Sequence, residues 1–156
     1  MGLATDIAVG PAGSLHVVGQ TDTFGGTPAD GNEIRKYDES LQTWGASLGR
    51  GTRIAMGAGV VWTIDALSNV KQALGSAAFT QISMGGQDIA VGANGLAQLL
   101  NTNYYSYESN AWVNTTSSVN GIRINADKNG DSFVVTSSNV LMFYEKAAKK
   151  WWTLPY

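Results

Sequence analysis

The sequence predicts an all-β fold of four repeated, four-stranded antiparallel units, and three observations lead there. The phrase "DIAVGPAGSLHVVG" (6–19) returns at 88–101 as "DIAVGANGLAQLLN", with more altered echoes in "RIAMGAGVVWTID" (53–65) and "IRINADKNGDSFVVT" (122–136). The apolar runs are short, rich in Val, Ile and aromatic residues, and interrupted every few positions by Gly, Asn, Asp or Ser, the punctuation of strands and not of helical repeats. With the units opening at Thr5, Thr52, Gln87 and Gly121, the later spacings are 35 and 34 residues, a period at which repeats build solenoids or propellers.

The first unit reads as the strands "DIAV", "LHVVG", "EIRKYD" and "TWGASL", with "PAGS" supplying the first turn. Between its second and third strands lies an insertion, "QTDTFGGTPADG" (20–31), whose Gly-Gly, Thr-Pro and Asp-Gly pairs mark a surface loop of the kind that carries binding residues; Phe24 is its candidate contact. The second unit keeps the layout with a shortened turn at "GAGVVW" and has "QALGSAAF" where a Tyr and a Trp are expected. The third is "DIAV", "LAQLL", "YYSYE" and "AWVNTT", turning through "ANG". The fourth opens on "IRINAD", turns through "DKNGD" and ends on "WWTLPY". The expected boundaries are 5–51, 52–86, 87–119 and 120–156, all within one domain.

The first strand of each unit sets Ala and Gly beside its aliphatics, which suits a crowded axis, whereas Tyr and Trp fall in the third and fourth strands, where sheets splay and more volume must be filled. That gradient predicts a small β-propeller of four blades. The alternative is four blades forming part of a larger propeller completed by oligomerisation.

At the level of motifs, "DIAVGPAGSLHVVG" followed by "EIRKYDESLQTW" resembles the repeat of the tectonin-type β-propeller lectins, with their tachylectin-like repeats: an Ile-Ala-Val-Gly strand, a Gly turn, a Trp-Val strand, a Tyr-rich strand and a Trp. The resemblance covers the chain in four copies, best in the first and third. It implies a non-enzymatic, carbohydrate-binding protein that recognises glycans multivalently through shallow sites at the blades. The alternative is a structural or interaction propeller that self-assembles or docks protein partners.

Composition narrows the classes further. With 44% hydrophobic and 14% charged residues the chain is an ordinary globular one. Ten Lys and Arg against twelve Asp and Glu leave a net charge of −2, with no concentrated positive charge for phosphates, so nucleic acid is not an expected partner. No apolar run approaches a membrane span and no signal peptide is evident, so a soluble protein is expected, either cytoplasmic or extracellular. The absence of cysteine removes disulfides and thiolate chemistry.

Two aromatic columns align across the units: Trp44, Phe79, Trp112 and Trp151, and Tyr37, Tyr107 and Tyr144. Such rings either stack on the C–H face of a pyranose or wedge blades together. The expected sugar contacts are Tyr37, Trp44, Tyr107 and Trp112, helped by Asn32, Asp38, Asn103 and Asn110. Trp152, next to Trp151 and hence on the opposite face of a strand, is the candidate assembly contact, and a homo-oligomer is expected. His16, the single histidine, shares a column with Trp62, Gln98 and Phe133 and reads as a packed residue, not a base. "DKNGD" (127–131) has oxygens at alternate positions, as a calcium loop does, but aligns with the other units' turns and is read as one. No cofactor, metal or catalytic constellation is expected. "NTT" (114–116) is a glycosylation sequon.

Overall fold

A computed structural model describes residues 3–19, 30–75, 77–115 and 119–155. It is all-β: sixteen strands form four antiparallel four-stranded sheets, each a meander in chain order. Blade 1 contains β1 (Ala4–Val9), β2 (Leu15–Gly19), β3 (Asn32–Asp38) and β4 (Thr43–Gly51). Blade 2 contains β5 (Arg53–Gly57), β6 (Val60–Ile64), β7 (Asn69–Leu74) and β8 (Thr80–Met84). Blade 3 contains β9 (Asp88–Val91), β10 (Ala97–Leu100), β11 (Tyr104–Glu108) and β12 (Ala111–Asn114). Blade 4 contains β13 (Gly121–Ala126), β14 (Ser132–Thr136), β15 (Leu141–Glu145) and β16 (Lys150–Thr153). The fold is a four-bladed β-propeller. Most of the 20–31 insertion, with Phe24, lies outside the described residues, as does Thr116 of the sequon.

Each first hairpin turns on a glycine in the left-handed region: Gly13, Gly59, Gly95 and Gly130 have φ of 80°, 79°, 82° and 86°. In blade 2 the shortened turn is a two-residue loop between the paired Gly57 and Val60, and Ala58 also takes positive φ, 48°. Two consecutive positive-φ residues are what a tight hairpin requires, so the turn survives its deletion at the cost of placing a Cβ in a region that favours glycine. In blade 4 the Asp127 carboxylate accepts the Asn129 and Asp131 amides (2.8 and 2.9 Å), so "DKNGD" is built as a self-capped turn.

The core is distributed over the three junctions between successive blades. Ala8, Val18 and Ile34 of blade 1 meet Ile54 and Val61 of blade 2. Trp62, Ile64 and Val70 of blade 2 meet Ile89, Ala97 and Leu99 of blade 3, and Leu100 and Tyr104 of blade 3 meet Ile124, Val134 and Tyr144 of blade 4. Along the axis β1 packs on β5, β5 on β9 and β9 on β13, but no comparable packing joins β13 to β1. The blades therefore follow an arc with an open seam. Among the described residues the first and last blades share no junction of the kind that joins successive blades.

Candidate functional site

Cross-strand register brings the aromatic columns together in pairs: Tyr37 opposite Trp44, Tyr107 opposite Trp112 and Tyr144 opposite Trp151. Their ring centroids are 5.1, 5.0 and 5.0 Å apart. The blade 3 pair is covered by the preceding blade, with Trp62 edge-on to Tyr107 at 4.9 Å and to Trp112 at 5.6 Å. The blade 4 pair is covered by Tyr104, whose ring stands perpendicular to Trp151 at 5.3 Å. These pairs are wedges between blades, and the indole nitrogens of Trp112 and Trp151 are themselves buried. The blade 1 pair lies on the face of the sheet that looks away from blade 2.

The amide and carboxylate helpers do not gather around those rings. Asn32 and Asn103 sit at the beginning of β3 and just before β11, whereas Asp38 and Asn110 sit at or beyond the other ends of those strands, about 20 Å away at 3.3 Å per residue. Asn103 reaches the Tyr105 hydroxyl (3.5 Å), and Asn110 holds a turn at φ 64°. The Asp38 carboxylate accepts the Ser40 and Leu41 amides and the Ser40 hydroxyl, and these bonds hold its pKa below the usual carboxylate value. Trp152 is 43% exposed on blade 4, its indole donating to Glu145 (3.2 Å) beneath the Lys150 ammonium.

Two cavities occupy matching stations in the repeat. One, of 620 Å³, is bordered by Ser14, Lys36, Tyr37, Asp38, Ser40 and Leu48. The other, of 310 Å³, is bordered by Ser106, Glu108, Asn114, Thr115, Tyr144 and Lys146. Lys36 and Asp38 in β3 correspond to Ser106 and Glu108 in β11, because Tyr37 aligns with Tyr107. The first cavity is bordered by blade 1 alone, Tyr37 included, whereas the second lies where blade 3 meets blade 4. In the second cavity the Ser106 hydroxyl donates to Glu108 (2.9 Å) and the Lys146 ammonium lies 3.7 Å from the same carboxylate. Behind it, buried Tyr104 and Ser132 share a hydrogen bond (2.7 Å), Ser132 donates to Gln98 (2.6 Å), and Gln98 donates to the Gly130 carbonyl (2.6 Å). Burial raises the Tyr104 phenol's pKa well above its ordinary value, so it stays a neutral donor.

A third cavity, of 420 Å³, runs along the inner strands of all four blades. Its walls carry an alternation that reading one repeat at a time does not disclose: Asp6, Arg53, Asp88 and Arg123 occupy one column in β1, β5, β9 and β13. Asp6 accepts the Ile54 amide of the next blade (2.8 Å), and Asp88 accepts the Ile124 amide of its next blade (2.9 Å). Arg53 reaches forward to Asp88, 3.5 Å away. Burial raises the pKa of Asp88, and the Ile124 amide, Arg123 and Arg53 work against that rise. Among the described residues no cluster of carboxylates and imidazoles is arranged to hold a metal ion.

No protein-family model matches the chain, and no curated protein does either. Solved structures match it closely in shape: YCF48 from Cyanidioschyzon merolae at a TM-score of 0.66 and 13% identity, over 99% of this chain and 56% of that one. RRP9 WD40 repeats match at 0.69 and 10%, over 99% and 51%, and an auxiliary nutrient binding protein from Bacteroides thetaiotaomicron at 0.65 and 14%, over 100% and 42%. The likeness is one of fold, and the chain spans about half the length of the YCF48 and RRP9 propellers it matches. No described helix is long and apolar enough to cross a membrane.

Proposed function

We propose that the protein is a non-enzymatic, lectin-like propeller that holds saccharides in two cavities, one on blade 1 and one where blade 3 meets blade 4, which share a carboxylate at the same station of the repeat. The observation that carries this reading is a carboxylate at the same station of two blades (Asp38, Glu108), with an ammonium beside it in each cavity, Lys36 from the same strand and Lys146 from the following blade, and side-chain hydroxyls (Ser14, Ser40, Ser106, Thr115) on the borders. Carboxylates accept pairs of sugar hydroxyls, and ammonium and hydroxyl groups return hydrogen bonds to the ring and hydroxyl oxygens. Each site is shallow, and two on one rigid scaffold gain strength on a glycan-coated surface by raising the effective concentration. The Tyr–Trp pairs of blades 3 and 4 then serve the sites from behind, as the packing that fixes the cavity walls.

A glycan array probed with multimerised protein tests the reading. Binding to at least one saccharide class is expected, and Glu108→Ala together with Asp38→Ala should reduce it at least tenfold, the size of one or two charge-assisted hydrogen bonds, with the melting temperature nearly unchanged. No binding to any saccharide, or binding indifferent to both substitutions, sinks it. Protein docking is the second reading, favoured by the sheet faces that the seam leaves uncovered. YCF48 has been seen bound to D1 peptide, and a peptide array would show this chain retaining peptides and not sugars.

A further inference from the structure

We propose that two copies of this chain close head to tail into one eight-bladed ring, the outer face of blade 4 in each seated on the outer face of blade 1 in the other. This does not depend on what the cavities bind.

The first support is a comparison of equivalent residues with and without a neighbouring blade. Ile54, Ile89 and Ile124 face the preceding blade and are 5%, 5% and 9% exposed, whereas Ile7, in the same column of the first blade, is 60% exposed. On the forward faces, His16, Trp62 and Gln98 are 2%, 2% and 0% exposed, whereas Phe133, in the same column of the last blade, is 39% exposed. Ile7 and Phe133 stay apolar without a covering blade, although Asn125 ends the Ala8, Ala55 and Ala90 column. Phe133, Phe143 and Trp152 lie side by side in register across β14, β15 and β16, and Ile7 and Val9 flank the Tyr37–Trp44 pair's face on blade 1.

The second support is that each end carries the half of a junction that the other lacks. At the junction of blades 2 and 3, Trp62 packs edge-on into Tyr107 and Trp112. At the seam Phe133 holds the Trp62 position and Tyr37 with Trp44 hold the positions of Tyr107 and Trp112, at the same mutual spacing. Aromatic knob and aromatic socket are both present, on different ends of the chain.

Charge supplies the third support. Arg53 donates to the carbonyl just before it, Thr52 (2.9 Å), and from that posture lies against Asp88 of the following blade. Arg123 holds the same posture on the Ile122 carbonyl (2.8 Å) at the end of the arc, with no following blade in the chain. Adding a second copy places Asp6 of the partner subunit where Asp88 stands for Arg53, and the Asp–Arg alternation runs unbroken around the bore. A head-to-tail contact of this kind either closes or polymerises. The chain matches 51–56% of the YCF48 and RRP9 structures over nearly its whole length, so an arc of this size is accommodated within propellers of about twice its length.

Sedimentation velocity and native mass spectrometry at micromolar concentration should give twice the chain mass. Ile7→Glu and Phe133→Lys alter side chains that a single chain leaves exposed, so each should yield a folded monomer with an unchanged circular dichroism spectrum, weakening association at least tenfold. Asp6→Arg and Arg123→Asp should each dissociate alone and pair when mixed, because both seams are then complementary. Should Asp6→Arg misfold through loss of its bond to Ile54, the Ile7 and Phe133 variants decide. As the chain lacks cysteine, Tyr37→Cys combined with Phe133→Cys should be joined by a short bis-maleimide linker into a covalent dimer and nothing larger, because the facing backbones at such a junction stand too far apart for a direct disulfide. A wild-type monomer, a dimer indifferent to these substitutions, or a ladder of covalent polymers overturns the ring.

Discussion

At the scale of single residues, burial decides more than residue type. His16 is 2% exposed, and burial, aided by the Lys36 charge and opposed by a hydrogen bond to the Ser14 backbone, holds its pKa below the usual value. The unfolded chain therefore binds a proton that the folded chain refuses, so stability is constant above about pH 6.5 and falls below it until the folded value is reached. Urea midpoints followed downward from neutral pH should show that loss, and His16→Gln, the residue found at the same station in blade 3, should flatten it. Asp65 behaves in the opposite sense. Burial pushes its pKa up, but the Lys71 ammonium (2.8 Å) and the Asn69 side chain and amide (2.9 and 2.8 Å) prevail and hold it down. Its stabilisation is present above the ordinary carboxylate pKa and is lost as pH falls through the lowered one. Asp65→Ala leaves those donors buried without their acceptor and should cost about 3 kcal/mol in chemical denaturation. The sequence column with Trp62 already read His16 as packed, which its 2% exposure bears out, whereas the Asp65 environment was not legible: "TID" looks like ordinary strand text until Lys71 and Asn69 are in place.

At the scale of strands, the periodicity of two was both the clearest signal and the source of the main misplacement. Four units, their strands and their glycine turns were legible because alternation and positive-φ residues are local properties. Which helpers share a face with the rings was not, because Asp38 follows Tyr37 directly, and neighbours on a strand point to opposite sides of the sheet. The proposed cavities are bordered by Lys36, Tyr37, Asp38, Ser106 and Glu108, of which Tyr37 and Asp38 were singled out from the sequence. The Asp–Arg alternation was visible in the aligned first strands but has meaning only where sheets converge. Columns now make graded expectations possible. Trp62→Ala should cost about 3–5 kcal/mol, as for a buried aromatic. In the same column, Phe133→Ala should cost well under about 1 kcal/mol when measured on dissociated chains. Equal penalties would mean that the seam is closed in a single chain. Close approach is graded in the same way: a Cβ at Gly57 would collide with the Gly92 carbonyl of the next blade, so Gly57→Ala should destabilise by about 1–3 kcal/mol.

At the scale of the whole molecule, the arc gives the two middle blades a neighbour on each side and the end blades only one. Stability in such a chain is a sum over units and nearest-neighbour junctions. Amide exchange in dilute solution should therefore be slowest in blades 2 and 3 and faster in blades 1 and 4, the difference narrowing as concentration rises. Uniform protection at every dilution would contradict it. The open seam has a further consequence, for kinetics. A propeller that closes on itself must bring its first and last blades together, a contact spanning the entire chain, and the entropy of closing so long a loop slows its formation. Here the principal packing joins strands within a meander or in successive blades, so no search longer than about two repeats lies on the route to the folded arc. With the ring proposed above, the slow event would be displaced from folding to encounter between copies, and refolding should separate into a fast phase independent of concentration and a later one that accelerates with it.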